Sequence, residues 1–209
     1  MTYSLTEVDE KDFGQHYYLR DGDNCYYFGE YTAREGFNYS KTNQLIHNFK
    51  KPVDRKDRPE YQYKNRAIAE VANLIANSIN LELVTFIPVP PSKSKDHELY
   101  DDRLIQVLRF MEAHYPGVHW YEAVQQNSST VANHQSESRL RPSELCDIYD
   151  LGGFDGSGCR NILVVFDDML TTGCHFKAMQ SVLQERAPDK SIVGLFIARR
   201  VIPDEDFDF

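Results

Sequence analysis

The alternation of apolar and polar positions along the chain predicts most of its elements. Between residues 62 and 79, Ile68, Val71, Ala72, Ile75 and Ile79 recur at helical spacing. That period predicts an amphipathic helix with one face on a core. Residues 83–90, L-V-T-F-I-P-V-P, carry no charge and predict a buried strand stopped by prolines. The helical period returns over about 100–114 through Leu104, Val107, Leu108 and Met111. Trp120–Val124 predicts a strand, and Pro142–Tyr149 a short helix with proline near its first turn. Ile162–Phe166 is apolar throughout, the pattern of a strand covered on both faces. Residues 174–186 turn Phe176, Met179, Val182 and Leu183 to one helical face, and Ser191–Ala198 predicts a last strand.

Upstream, the aromatic-rich residues 17–32 are broken by Asp-Gly-Asp-Asn and predict a β-hairpin. Residues 41–50 predict a short helix, followed by a charged loop. The polar stretch before residue 140 and the glycine-rich stretch 151–158 read as connectors. Residues 204–209 form an acidic tail, either solvated or a contact surface. From residue 62 the order is helix, strand, helix, strand and so on. Such alternation predicts an α/β fold, a mostly parallel sheet flanked by helices. Ligands of these sheets sit beyond the carboxyl ends of the strands.

Composition narrows the function. No apolar run approaches the roughly 20 residues of a membrane span, and the mixed, acidic N-terminus does not follow a signal-peptide pattern. A cytoplasmic protein is expected, with no membrane partner. Cys25, Cys146, Cys159 and Cys174 are far apart and form no Cys-x-x-Cys pair. Reduced thiols are expected rather than a zinc site. A net charge of −9 argues against broad nucleic-acid binding. It leaves room for a small anion held by a local cluster of donors.

Residues 160–176 read R-N-I-L-V-V-F-D-D-M-L-T-T-G-C-H-F. An apolar strand runs into two adjacent carboxylates, a turn over 169–173, and a helix. A helix N-terminus carries unsatisfied N–H groups and partial positive charge. Gly173 is expected to let the backbone approach a ligand, and Thr171 and Thr172 add hydroxyls, so the turn suits a monophosphate. Asp167 and Asp168 are acceptors suited to a pair of vicinal hydroxyls. A pentose 5-phosphate meets both requirements. Solvated aspartates on an ordinary strand-turn-helix are the plainer alternative. A phosphorylation-receiver domain also begins strand-Asp-Asp, but it needs more sheet than the residues that follow can supply.

The segment I-L-V-V-F-D-D-M-L-T-T-G resembles the signature of type I phosphoribosyltransferases. The resemblance implies a phosphoribosyltransferase-like core over residues 61–209 and a small N-terminal hood or hairpin over 1–60. It implies 5-phosphoribosyl-1-pyrophosphate (PRPP) as ligand, with magnesium, and no dedicated metal ligands from the chain. Asp167 and Asp168 would be the catalytic pair, on the ribose hydroxyls directly or through metal-bound water. Thr171, Thr172, Gly173, Cys174 and His175 would hold the 5-phosphate. Pro91, Ser92 and Lys93, after the strand ending in P-V-P-P, would hold pyrophosphate, with a cis or strained peptide among them. The stretch 93–103 would be a loop closing over the pyrophosphate, with Lys95, Tyr100 and Arg103. Tyr100-Asp-Asp-Arg also reads as the start of the next helix, with Asp at its positive end.

Within the family the layout is most similar to the ComF-like competence proteins, including an Arg-x-x-x-x-x-Leu stretch at 139–145. The chain departs from that subgroup in having Cys25 alone where a zinc-binding cluster is common. It also has His175 where a threonine is common. His175 is expected either to donate to the phosphate or to be an ordinary helix residue. Cys174 has no base beside it and reads as a packed thiol more than a nucleophile. The expected function is transfer of 5-phosphoribosyl from PRPP to an unidentified acceptor, a nucleobase being one candidate. The alternatives are PRPP or nucleotide sensing without turnover, and a partner role in a larger system such as DNA uptake or defence. A homodimer is compatible with each.

Overall fold

The computed structural model describes residues 3–126 and 140–203. Arg139, part of the polar stretch before it, and the acidic tail 204–209 lie outside the described residues. Strand β1 (Thr6–Glu7) pairs antiparallel with β2 (Cys25–Thr32). Helix α1 (Lys41–Phe49) opens at Ser40, whose hydroxyl accepts the Asn43 N–H, a cap that offsets one of the orphan donors of a helix start. Helix α2 (Gln62–Ser78) buries Ala67, Ile68, Val71, Ala72 and Ile75, and Lys64 with them. Strand β3 (Val84–Pro88) is buried throughout, and helix α3 (Arg103–His114) buries Leu104, Val107, Leu108 and Met111. Strands β4 (Gln125–Gln126) and β5 (Tyr149–Asp150) pair apart from the main sheet, with the short helix α4 (Pro142–Cys146) between them. Strand β6 (Ile162–Leu170), helix α5 (Cys174–Arg186) and strand β7 (Ser191–Val201) complete the chain.

The main sheet has the order β1-β2-β7-β6-β3, with β2, β7, β6 and β3 parallel. Helix α2 packs against both α1 and α3, and α4 packs against α5. The architecture is therefore a mixed α/β fold with a mostly parallel five-stranded sheet flanked by helices, as the alternation predicts. β6 lies between β7 and β3, and Leu163, Val164, Val165 and Phe166 are buried. Burying each such side chain contributes on the order of 2 kcal/mol.

The strand ends build the site. Pro88 pairs with Phe166 as the last register position of β3. Prolines at 88, 90 and 91 cannot donate to a ladder, so β3 turns away there. β6 continues to Leu170 alongside β7. The strand thus outruns its predicted end at Phe166: Asp167 and Asp168 lie within it, and so do Met169 and Leu170, expected as the start of the turn. Past β3, β6 has no neighbouring strand on that side, and a cavity opens.

Four further expectations change. Residues 17–20 form turns, not the first arm of a hairpin. The strand is confined to 25–32, and its antiparallel partner is Thr6–Glu7. The tyrosines at 17 and 18 that suggested a strand belong instead to a segment packed on the turn after β6. Trp120–Val124 makes a single bridge to Phe86, flanked by Phe86 N–H to His119 O and Tyr121 N–H to Phe86 O, both 2.9 Å. The α3 helix begins at Arg103, because Asp101 and Asp102 turn their side chains to Lys64, Arg103 and Gln106. No described peptide bond is cis, and Arg34 is the one described non-glycine residue with positive φ. The prolines after β3 therefore carry no cis bond, one of the two forms that the family resemblance implied.

At the far side of the sheet, Asn43 is fully buried against β2. Its Oδ1 accepts the Thr32 N–H at 3.2 Å, and its Nδ2 donates to the Thr32 carbonyl at 3.1 Å. One side-chain amide takes the place of a neighbouring strand.

Candidate functional site

A cavity of about 360 Å³ lies at the carboxyl ends of β3 and β6, lined by Asp167, Asp168, Thr171, His175, Pro91 and Ser92, with Lys50, Asp101 and Arg103. Most of the predicted site residues thus converge, from two loops far apart in sequence. A second chamber of about 300 Å³ shares Lys50, Pro91, Ser92, Asp101 and Arg103 and adds Lys93, Leu99 and residues 52–54.

Successive strand residues point to opposite faces. Asp168 is therefore directed away from Asp167 and into a cluster of cations. Lys50 Nζ lies 2.8 Å from its Oδ1. Arg103 donates from Nε and Nη2 to its Oδ2, the former at 2.9 Å. The remaining guanidinium nitrogen, Nη1, donates to Asp101 Oδ2 at 2.8 Å, and Lys64 Nζ binds the same oxygen at 2.7 Å. Burial opposes ionisation of Asp168, but Lys50 and Arg103 outweigh it and hold its carboxyl well below the usual range. Asp167 makes no ion pair with a described residue. Burial and then the neighbouring Asp168 charge push its pKa up.

Asp167 Oδ1 accepts the Asp168 N–H at 2.7 Å. His175, at the start of α5, shares a 2.9 Å hydrogen bond between its Nδ1 and the Tyr149 hydroxyl. Tyr149 is buried, and burial, then Asp167, raise its pKa well above the ordinary tyrosine value.

The turn expected to hold a phosphate is braced from outside the motif. Tyr18 N–H donates to the Thr172 carbonyl at 3.0 Å, and the buried His16 bonds through Nδ1 to the Thr171 carbonyl. Gly173 adopts φ +84°, and a Cβ there would stand 3.0 Å from Leu19 Cδ2. The space beside Gly173 is thus filled by Leu19, so the glycine serves the left-handed turn and internal packing rather than close approach of a ligand.

Thr171 and His175 line the cavity. Thr172 is buried, and its hydroxyl accepts the Cys174 N–H at 3.4 Å. Cys174 Sγ donates to the Leu140 carbonyl at 3.1 Å. Its side chain turns to the segment ahead of α4 and is not among those lining the cavity. Burial pushes the Cys174 thiol up to about 11. Because the thiolate is the reactive species, Cys174 is expected to resist iodoacetamide in the folded protein at mildly alkaline pH. Mass spectrometry of digested, alkylated protein checks this, with denatured protein as the labelled reference.

Two of the residues expected on a closing loop, Lys95 and Arg103, carry acidic partners. Arg103 is the first residue of α3 and is tied to two aspartates. Lys95 is paired with Glu122 at 2.8 Å, and Tyr100 lines a neighbouring chamber of about 220 Å³ with Lys93, Lys95 and Glu122. A charged stretch ahead of a helix has the composition of a solvated loop, yet at its end Arg103 is held by Asp101 and Asp168. Sequence reasoning missed Lys50, Lys64, His16, Tyr18 and Tyr149. Lys64 had a signal: it stands four residues before Ile68, on the apolar stripe of α2. The others match no motif.

No group of three or more His, Cys, Asp or Glu side chains is placed to hold a metal ion among the described residues. No helix among them is long and apolar enough to cross a membrane. No protein-family model matches the chain, and no curated protein matches it in sequence.

Proposed function

We propose that this chain binds PRPP in the cavity beyond β6 and transfers its 5-phosphoribosyl group to an acceptor, releasing pyrophosphate. One observation carries the reading: Asp167, Asp168, Thr171 and His175 meet Pro91 and Ser92 around one cavity of about 360 Å³. A volume of that order suits a small, highly polar ligand.

In this reading the 5-phosphate sits at the N-terminus of α5, against Thr171 and His175, where N–H groups and the helix dipole favour an anion. The ribose hydroxyls donate to Asp167, the carboxylate without an ion-pair partner among the described residues. The diphosphate lies toward Pro91 and Ser92, within reach of Lys50 and Lys93. The C1–O bond to the diphosphate breaks as the acceptor's nucleophilic atom bonds to C1, and pyrophosphate leaves with the bonding electrons. The side chains position the ligand and offset its charge.

Magnesium held mainly by substrate phosphates needs only one or two protein carboxylates, and Asp167 would be the one to hold it, since both Asp168 oxygens face Lys50 and Arg103. When bound, the ion would offset charge on the leaving pyrophosphate.

Calorimetry with PRPP and magnesium tests the reading. The wild type is expected to bind, and Asp167→Asn to bind at least about tenfold more weakly, the loss of one charge-assisted hydrogen bond to a ligand hydroxyl. Absence of binding by the wild type to PRPP, ribose 5-phosphate and nucleoside monophosphates sinks it.

Binding without turnover is a second reading, favoured by the full occupation of Asp168 by Lys50 and Arg103. A screen of nucleobases for pyrophosphate release separates the two.

A further inference from the structure

Lys64 has no exposed side-chain surface. A lysine buried this completely on an apolar helix face is uncommon, and its charge must be satisfied internally. The ammonium has three neighbours. It donates to the Lys51 carbonyl at 2.8 Å and to Asp101 Oδ2 at 2.7 Å, and it lies 5.7 Å from the centre of the Tyr61 ring.

The first two contacts lead to the cavity by separate routes. Lys51 follows Lys50 just past the C-terminus of α1, where a cation also complements the helix dipole. Fixing the Lys51 carbonyl fixes the backbone from which Lys50 reaches Asp168. Asp101, for its part, takes the Arg103 Nη1 and so sets the plane of the guanidinium that grips Asp168. We propose that Lys64 is a positioning residue of the cavity: one buried ammonium holds in register both cations that face Asp168. It touches no ligand itself. The proposal takes its ligand from the phosphoribosyl reading but its geometry from contacts that stand without that reading.

The test compares wild type with Lys64→Met and with the milder Lys64→Gln, which keeps a donor and guards against failure to fold. Two readouts are taken well below each melting midpoint, where every variant is folded. The first is the calorimetric Kd for PRPP with magnesium. Loss of positioning is expected to weaken binding by about tenfold or more, as for misplacement of supporting groups elsewhere.

The second readout needs no ligand: the nitrogen-15 NMR signal of the Arg103 Nε–H, which donates to Asp168 Oδ2 at 2.9 Å. In both variants that proton is expected to exchange with water at least about tenfold faster as the guanidinium loosens. An unchanged Arg103 exchange rate in folded Lys64→Gln and Lys64→Met overturns the proposal, and so does an unchanged Kd beside lowered thermal stability, the mark of a residue that only holds the fold. A wild type that binds no PRPP overturns the phosphoribosyl reading alone, and the NMR result then decides the positioning role by itself.

Discussion

Asp168→Asn is expected to destabilise the fold by about 3 kcal/mol at neutral pH, while Asp167→Asn leaves stability unchanged or raises it. Removing one partner of a buried ion pair costs roughly 3–5 kcal/mol because the remaining charge is left uncompensated. The lower end applies to Asp168. Arg103 keeps Asp101, and Lys50, with 38% of its side chain exposed, can turn to water.

The sign of the pH dependence follows from the direction of each shift. The folded pKa of Asp168 is depressed, so its stabilisation is fully present above the unfolded carboxylate value near ~3.9 and is lost as pH falls below it. The folded pKa of Asp167 is raised, so holding it ionised costs stability that appears as pH rises through the carboxylate range. Asparagine removes that cost. Urea unfolding at neutral pH and at about pH 3 checks both: the wild type should weaken on acidification, and Asp168→Asn should weaken less. Adjacent residues of one motif would then act in opposite directions on stability, Asp168 holding the site together and Asp167 paying for its burial beside another carboxylate.

Gly173→Val is expected to cost about 3 kcal/mol and to weaken PRPP binding as well. The left-handed conformation costs a residue with a Cβ about 1–2 kcal/mol, and a β-branched side chain is worse placed still. The added atoms meet Leu19 Cδ2, Cγ and N at 3.0, 3.1 and 3.5 Å, and overpacking of that kind costs roughly 1–3 kcal/mol. The two contributions can be separated. In a Leu19→Ala background the steric part falls away, so Gly173→Ala should there cost only the conformational part, about 1 kcal/mol. Equal costs in both backgrounds would mean that Leu19 does not constrain the turn.

The sheet and the motif were legible because their residues obey strong local rules. An uncharged run such as Ile162–Phe166 has few places to go except between two strands, and two carboxylates at its end mark where the core stops. The stripe of α2 was legible for the same reason. What lay hidden depends on pairs distant in sequence. Residues 16–19 carry no motif, and only the fold brings them against Thr171–Gly173. The tyrosines at 17, 18, 26 and 27 look alike as strand formers, yet only the latter two find β7 as a partner. Arg103 sits in a stretch whose composition suggests a mobile loop; that Asp101 and Asp168 fix it is a three-dimensional fact. Lys64 was visible as a charge on an apolar stripe, but its meaning was not, since Lys51 and Asp101 are its partners only in the folded chain.

The Asn43 amide on β2 has a consequence for how the protein behaves in a crowded solution. A sheet edge with free N–H and C=O groups is a template to which another chain can add a strand, the first step toward aggregates. Here the Trp120 bridge takes both Phe86 backbone groups on the outer side of β3, and at the opposite edge Asn43 takes both Thr32 groups at the end of β2. An added strand is thus refused at those points, and the remaining edge on the β2 side is the two-residue β1, too short a template to pair far. Asn43 thereby closes the end of β2 to an incoming strand, by one buried side chain in the first turn of α1.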